Sequence, residues 1–216
     1  MTSTATPDII APRAKGRPRL TEAADIDRAI REAAMQVLLE HGEAATLNAV
    51  AQAAGLSRKS LYARYSSKSA LFIDVIRADM ANARGIEFST SGAIEDRLLS
   101  YIEAALAAIA KPSARAIQHL LNADPIYIAA LRQEMLAATH TIFFKPLLAL
   151  LHDASASNQL VAIQPDIAAR MIVHLIFAEA MFVHKDGQTL FPPTTPTQSA
   201  RYIADLVLQG LLPRTG

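Results

Sequence analysis

Residues 46–65 of the chain read TLNAVAQAAGLSRKSLYARY. Thr46 precedes a short apolar pattern, Gly55 follows that pattern, and Ser57 precedes a second one. Ser and Thr side chains accept hydrogen bonds from the free N–H groups at helix N-termini. Glycine is favoured where a helix ends in a left-handed residue. The stretch therefore predicts two short helices joined by a tight turn.

The second of these helices is polar and basic at its start. The small residues Ala51, Ala54 and Gly55 let the two helices approach closely, which gives the helix-turn-helix layout. In that layout the second helix enters the major groove of DNA. Arg58 and Lys59 stand at its N-terminal end, where they can donate hydrogen bonds to guanine O6 and N7.

Hydroxyl and ammonium groups around the same helix are suited to phosphate oxygens. Ser60, Tyr62 and Lys68 are donors of this kind, and a helix N-terminus itself favours phosphate. The DNA-binding residues predicted in this part of the chain are Thr46, Ser57, Arg58, Lys59, Ser60, Tyr62, Arg64, Tyr65 and Lys68.

Charge is concentrated near this stretch, although the whole chain of 216 residues has a formal net charge of only +1. Residues 44–73 contain no acidic side chain, and a second basic run upstream includes Arg13, Lys15, Arg17 and Arg19. Two basic clusters on a nearly neutral chain indicate a localised anion-binding surface. The alternative is an ordinary solvated face.

Residues 26–76 resemble the N-terminal domain of the TetR family of bacterial transcriptional regulators. The matching segments are AAMQVLLEHG (33–42), TLNAVAQAAGLS (46–57) and LYARYSSKSALF (61–72). Tyr65 stands where the family usually has Phe, so its hydroxyl is expected to reach water or a phosphate. Arg64 stands where His or Tyr is common, and it should strengthen contact with the DNA backbone unless it is simply an exposed surface residue.

The resemblance implies an all-α fold, in which a three-helix helix-turn-helix domain precedes a larger helical domain for ligand binding and dimerisation. We expect a flexible basic arm over residues 1–20, the DNA-binding domain over 21–67 and the effector and dimerisation domain over 68–216. Arg17 and Arg19 of the arm resemble family residues that enter the minor groove. A disordered solubilising tail is the alternative for the arm.

Apolar residues recur at three- and four-residue steps through the rest of the chain, which predicts helices over 94–110, 113–122, 125–152, 166–185 and 198–211. Pro146 should kink the third of these near residues 142–144. A Pro/Thr-rich linker occupies residues 191–196.

The larger domain offers candidates for a ligand pocket and for a dimer interface, although each is more commonly a core or surface residue. Candidates for the pocket are Tyr101, His119, Asn122, Tyr127, His140, Phe143, Phe144, His174, Phe177 and Met181. Candidates for the interface with a second copy are Met171, Leu175, Phe182, Ile203, Leu206, Leu208 and Leu211.

Several function classes are disfavoured. The chain has no cysteine, which excludes disulfides, thiol catalysis and cysteine-ligated metals. The longest charge-free apolar stretch, residues 135–144, is too short to span a bilayer, and no export signal is visible, so we expect a cytoplasmic protein. Hydrolase motifs, a phosphate-binding loop and metal-ligand spacing are absent, so we expect no enzyme, no cofactor and no metal.

The leading hypothesis is a homodimeric repressor that binds a palindromic double-stranded DNA operator. A small lipophilic or aromatic effector would release it. The first alternative is a DNA-binding regulator that is constitutive or controlled by a protein partner. The second is a helical ligand-binding or enzymatic protein whose helix-turn-helix no longer binds DNA.

Overall fold

The computed structural model describes residues 23–161, 164–182 and 195–211. The predicted basic arm, with Arg17 and Arg19, and most of the predicted linker over 191–196 lie outside the described residues. Within them the regular structure is helical and includes no strand, which confirms the predicted all-α class. The helices are α1 (Ala23–His41), α2 (Leu47–Ala54), α3 (Arg58–Tyr62), α4 (Lys68–Ala81), α5 (Ile94–Ala110), α6 (Pro112–Ala123), α7 (Pro125–Thr139), α8 (Lys145–Ala156), α9 (Pro165–Phe182) and α10 (Pro196–Leu211).

Side chains cap the starts of α2, α3, α4 and α7. Thr46, Ser57, Ser67 and Asp124 each accept a hydrogen bond from a backbone N–H two or three residues later, at 2.9–3.2 Å. Gly55 closes α2 with a φ of 69°, the left-handed conformation in which a side chain is strained. The helix starts and the turn predicted for residues 46–65 are therefore confirmed.

The helix before this motif ends in a short 3-10 turn, Gly42–Ala44. Gly42 adopts a φ of +54°, as expected of a glycine that stops a helix. The helix after the motif, α4, ends at Ala81. The side-chain amide of Asn82 donates to the carbonyl of Ala78 at 2.8 Å and closes the helix there.

The buried apolar residues form two cores. The first joins α1–α4 to the facing sides of α6 and α7, through residues such as Ile117 and Leu131. The second joins α5, α8, α9 and α10 around Tyr101 and Leu147. Because α4 contributes Phe72 to the first core, the helix after the motif packs with it. The domain boundary at residues 67 and 68 remains a prediction.

A π-turn, His140–Phe144, separates α7 from α8 and confirms the predicted irregularity before Pro146. Because proline has no N–H, the Ile142 carbonyl loses its usual helical donor. The backbone N–H of Ile86, in the segment between α4 and α5, donates to that carbonyl at 3.4 Å. The Tyr101 hydroxyl donates to the next carbonyl, of Phe143, at 2.7 Å. Neighbouring segments thus satisfy the carbonyls of the turn.

The continuous helical stretch Pro125–Ala156 is apolar and long enough to cross a membrane by length and composition alone. Core helices pass the same test. This stretch contributes Tyr127, Leu131 and Leu147 to the two cores, so we assign it to the fold and not to a membrane.

Candidate nucleic-acid interface

Helix α3 presents a basic end to solvent from a buried anchor. Leu61 is fully buried in the first core, which fixes the helix there. Arg58 and Lys59 are exposed, and neither forms an ion pair with any residue in the described part of the chain. Tyr62 is half exposed on the same helix. The two cations and this ring are therefore available to an anionic partner.

The hydroxyls at the start of this helix have local partners. Ser57 accepts from the backbone N–H of Ser60 at 3.1 Å, and the two hydroxyl oxygens lie 2.7 Å apart. Thr46 caps α2 in the same way. These bonds set where the two helices begin, and the contacts of these three residues with DNA remain predictions.

Tyr65 has an intramolecular partner, in contrast to the water or phosphate expected from the sequence. Its hydroxyl donates to the Asp74 carboxylate at 2.8 Å and so joins the end of the motif to α4. Burial, followed by this carboxylate, raises the pKa of Tyr65. The sequence expectation is corrected because a carboxylate from the next helix accepts the proton of this hydroxyl.

Arg64 also has a partner within the protein. Its Nε donates to Asp27 of α1 at 3.1 Å, and both side chains are partly exposed. An exposed ion pair of this kind contributes little stability, but it positions the guanidinium. The predicted contact of Arg64 with the DNA backbone remains a prediction, and it would use the other N–H groups of the guanidinium.

Lys68 connects the motif to the 3-10 turn. Its Nζ donates to the backbone carbonyl of Glu43, so the first residue of α4 is tied to the segment that follows α1. The partners of Tyr65, Arg64 and Lys68 were not identified from the sequence, because each comes from a different helix or turn. The carboxylates that pair with residues of the acid-free stretch 44–73 thus lie outside it, at Asp27 and Asp74.

Comparison with known families gives this surface a context. Residues 30–75 match the family described as "Bacterial regulatory proteins, tetR family". The match runs from α1 into α4 and includes both helices of the motif. We call the matched segment, residues 30–75, the tetR-family domain. The resemblance inferred from the sequence is thereby confirmed, and the domain is the DNA-binding part of a transcriptional regulator.

Solved structures extend the likeness in fold to most of the chain. A TetR transcriptional regulator from Agrobacterium tumefaciens is 19% identical, with a TM-score of 0.67 over 88% of this chain and 95% of that one. NalD, the secondary repressor of the MexAB-OprM multidrug efflux pump in Pseudomonas aeruginosa, is 20% identical, with a TM-score of 0.58 over 89% and 98%. FadR from Bacillus subtilis, solved with stearoyl-CoA, is 14% identical, with a TM-score of 0.55 over 85% and 98%. No curated protein matches the chain.

Outside the tetR-family domain, the predicted pocket residues do not meet at one place. Tyr101 is fully buried and its hydroxyl is occupied by the Phe143 carbonyl. Phe143 packs edge to face on Phe177, with ring centroids 5.1 Å apart. Tyr127 lies in the first core. Tyr101 and Phe143 therefore belong to the second core, Phe144 and Phe177 pack against it, and Tyr127 belongs to the first core.

The remaining pocket candidates lie at or near the surface. His140 is exposed and stacks on the partly buried Phe144 at a centroid distance of 5.4 Å. His119 lines a surface cleft beside the tetR-family domain. Asn122 and His174 are exposed. The side chain of Met181 lies outside the described residues. Their roles toward a ligand remain predictions.

The predicted dimer residues divide between surface and core. Met171 of α9 and Leu206 of α10 are largely exposed, and Leu175 and Leu211 are partly so. Ile203 and Leu208 are buried within the chain, where they pack in the second core, and their place at an interface remains a prediction. The side chain of Phe182 lies outside the described residues. Tyr202, an exposed ring one turn before Leu206, is not among the residues predicted from the sequence.

Proposed function

We propose that the protein is a homodimeric transcriptional repressor that binds a palindromic DNA operator and is released by a small effector. The main support is the start of α3 in the tetR-family domain, where Arg58 and Lys59 are exposed and unpaired with any described side chain. Cations at the N-terminal end of a recognition helix contact base edges in the major groove. A tetR-family domain whose second motif helix begins with free cations supports sequence-specific binding to DNA.

The proposal of a dimer is supported by α9 and α10. Ile167 and Met171 leave an apolar stripe exposed on α9, and Tyr202 and Leu206 leave one on α10. Exposed apolar side chains that cluster at helical spacing mark interaction surfaces. Two symmetric copies would place two recognition helices at half-sites about 34–36 Å apart on DNA.

The proposal of an effector is supported by solved structures of the same fold. The FadR structure from Bacillus subtilis contains stearoyl-CoA, which includes a lipophilic acyl chain. An effector would have to bind one conformation of the dimer more tightly than the other, because only differential affinity shifts a two-state equilibrium. A regulator without an effector, constitutive or controlled by a protein partner, is the alternative.

We also propose that the protein acts in the cytoplasm, where its DNA lies, and that it has no catalytic role. Among the described residues, no group of three His, Asp or Glu side chains is arranged to hold a metal ion. The proposed partners are DNA, a second copy and an effector, with no cofactor.

The proposal is tested by selecting bound sequences from a random DNA pool at two salt concentrations. Enrichment of a palindrome at the higher salt is the expected result, because base contacts survive when phosphate contacts are screened. Binding that remains sequence-blind at both concentrations would contradict the regulator reading. A defined operator then allows the regulated gene to be sought beside it.

Arg58→Ala tests the predicted base reader directly. We expect a loss of about 1–3 kcal/mol in binding to the selected palindrome, with relaxed preference at one base pair. Lys68→Ala should weaken binding to all sequences and lower the salt slope by about one. Arg132→Ala, an exposed arginine on α7, is the control and should change neither. Equal losses on palindromic and random DNA for Arg58→Ala would show that Arg58 is not a reader.

A further inference from the structure

A cleft of about 550 Å³ lies between the end of α1, the 3-10 turn and the start of α6. One wall belongs to the tetR-family domain and the other to the end of α5 and to α6. Its volume falls within the range of roughly 300–1,000 Å³ that is usual for small-molecule sites. Of the pocket residues predicted from the sequence, it contains only His119.

The cleft has an aliphatic part that the fold leaves open. Leu39, at the end of α1, is 46% exposed even though its neighbour Leu38 is almost completely buried. Ala110 and Pro112 line the opposite wall. An apolar body that fills the gap between this leucine and the apolar groups of the cleft lowers the free energy, because apolar surface is then removed from water.

The cleft also has a basic part. Arg115 of α6 is partly buried and forms no ion pair with a carboxylate of the described residues. His41 and His119 line the cleft with it. Glu43 contributes the acidic side chain of the lining, but it is exposed and does not pair with Arg115. A partly buried guanidinium without a carboxylate is suited to bind one from outside, in a bidentate pair.

We propose that this cleft binds an organic monocarboxylate with an aliphatic body. The carboxylate would pair with Arg115, with His119 beside it. The body would lie along Leu39, Ala110 and Pro112. The ligand class follows from one unpaired cation next to an aliphatic wall, within a space of small-molecule size.

A ligand in the cleft would touch the segment that supports the DNA-binding helices. The 3-10 turn forms part of the wall, and the carbonyl of Glu43 in that turn accepts from Lys68 at the start of α4. A ligand that bridges α6 and the end of α1 would therefore lie beside the turn and link the larger domain to the base of the motif. This consequence for DNA rests on the proposed function, whereas the binding itself does not.

Thiol protection tests the binding site without DNA. Because the chain has no cysteine, Ala110→Cys gives a single reactive thiol inside the cleft. Ala129→Cys places one on the exposed side of α7 as the matched control. With decanoate as the probe, we expect maleimide labelling of Ala110→Cys to slow about tenfold, and labelling of Ala129→Cys to stay unchanged. Equal protection at both positions, or none at either, would overturn the proposal.

The role of the carboxylate is tested in the Ala110→Cys background. Arg115→Gln should raise the decanoate concentration that gives half-maximal protection about tenfold or more, because a charge-assisted pair is lost. Arg132→Gln should leave it unchanged, and Arg115→Lys should retain part of it because the charge stays. Decan-1-ol, which has the same body without the charge, should protect less than decanoate. Full protection in Arg115→Gln, or equal protection by decan-1-ol, would overturn the assignment of a carboxylate. Failure of the DNA selection would leave these results unaffected.

Discussion

Tyr65 joins the end of the DNA-binding motif to α4 through a single hydroxyl. Its bond to Asp74 is 2.8 Å long and partly buried, and Arg64 next to it pairs with Asp27 of α1. Two neighbouring side chains thus tie the segment after α3 to two different helices. These ties fix the orientation of α3, whose five residues are too few to hold a helix by themselves.

Tyr65→Phe should lower the free energy of unfolding by about 1 kcal/mol, because the partly buried Asp74 carboxylate loses its donor. Urea denaturation measures this change. A double-mutant cycle with Asp74→Ala should give a coupling energy of similar size. Tyr62→Phe, on the exposed side of the same motif, is the control and should be nearly neutral. Additive effects of Tyr65→Phe and Asp74→Ala would show that the hydrogen bond contributes nothing.

Tyr101 should make the fold less stable as the pH rises through the alkaline range. Burial raises the pKa of Tyr101, so the folded chain keeps a proton that the unfolded chain loses above about pH 10. The folded state then binds more protons than the unfolded state. The free energy of unfolding therefore falls as pH rises, by at most about 1.4 kcal/mol per pH unit for this residue.

Urea denaturation between about pH 9 and pH 11 checks this dependence. Tyr101→Phe should be less stable at neutral pH, because it loses the bond to the Phe143 carbonyl, and its stability should fall less steeply above about pH 10. Tyr202→Phe, at an exposed position, should keep the slope of the parent chain. An unchanged slope in Tyr101→Phe would contradict the assignment.

At the scale of elements, the π-turn between α7 and α8 holds the segment that leads from α4 to α5. Pro146 leaves the Ile142 carbonyl free, and Ile86 of that segment donates to it. A Cβ built on Gly85 would lie 3.4 Å from the Pro146 ring, so the segment passes close to the turn. The helix irregularity therefore anchors the connection between the two cores.

Pro146→Ala should weaken this anchor. The new backbone N–H competes for the Ile142 carbonyl, so the Ile86 amide loses its acceptor. Hydrogen exchange measured by mass spectrometry should be faster in a peptide that contains Ile86. Pro112→Ala is the matched control, because Pro112 begins α6, where its missing N–H has no helical partner to lose. Unchanged exchange at Ile86 in Pro146→Ala would show that the contact does not protect this amide.

At the scale of the whole molecule, the exposed apolar side chains of α9 and α10 need a partner. Leu206→Arg should raise the dissociation constant of the dimer about tenfold or more, because two unpaired charges would be buried at a symmetric interface. Sedimentation velocity over a range of concentrations measures this change. Leu136→Arg on α7 is matched in exposure, at 62% against 63% for Leu206, and should leave assembly unchanged. A dimer that persists in Leu206→Arg and dissociates in Leu136→Arg would move the interface to α7.

Residues close together in the chain specify the helices and turns of this protein. Some features depend only on residues within one or two helical turns, so they can be predicted from the sequence. Examples are the caps at Ser57 and Asp124, the turn at Gly55 and the irregularity before Pro146. The same holds for the tetR-family motif, whose residues lie close together along the chain. The candidate readers Arg58 and Lys59 follow from their place in that motif.

The partners of many side chains, and which residues of an apolar helix face are buried, depend on the tertiary structure. Tyr65 and Lys68 find acceptors on other segments, and the apolar stripe of α10 divides into a buried Ile203 and an exposed Leu206. A helix shows its full apolar stripe in the sequence, but the share that is buried depends on how closely its neighbours approach. The cleft at Arg115 exists for the same reason, because it is the space that α1 and α6 leave between them.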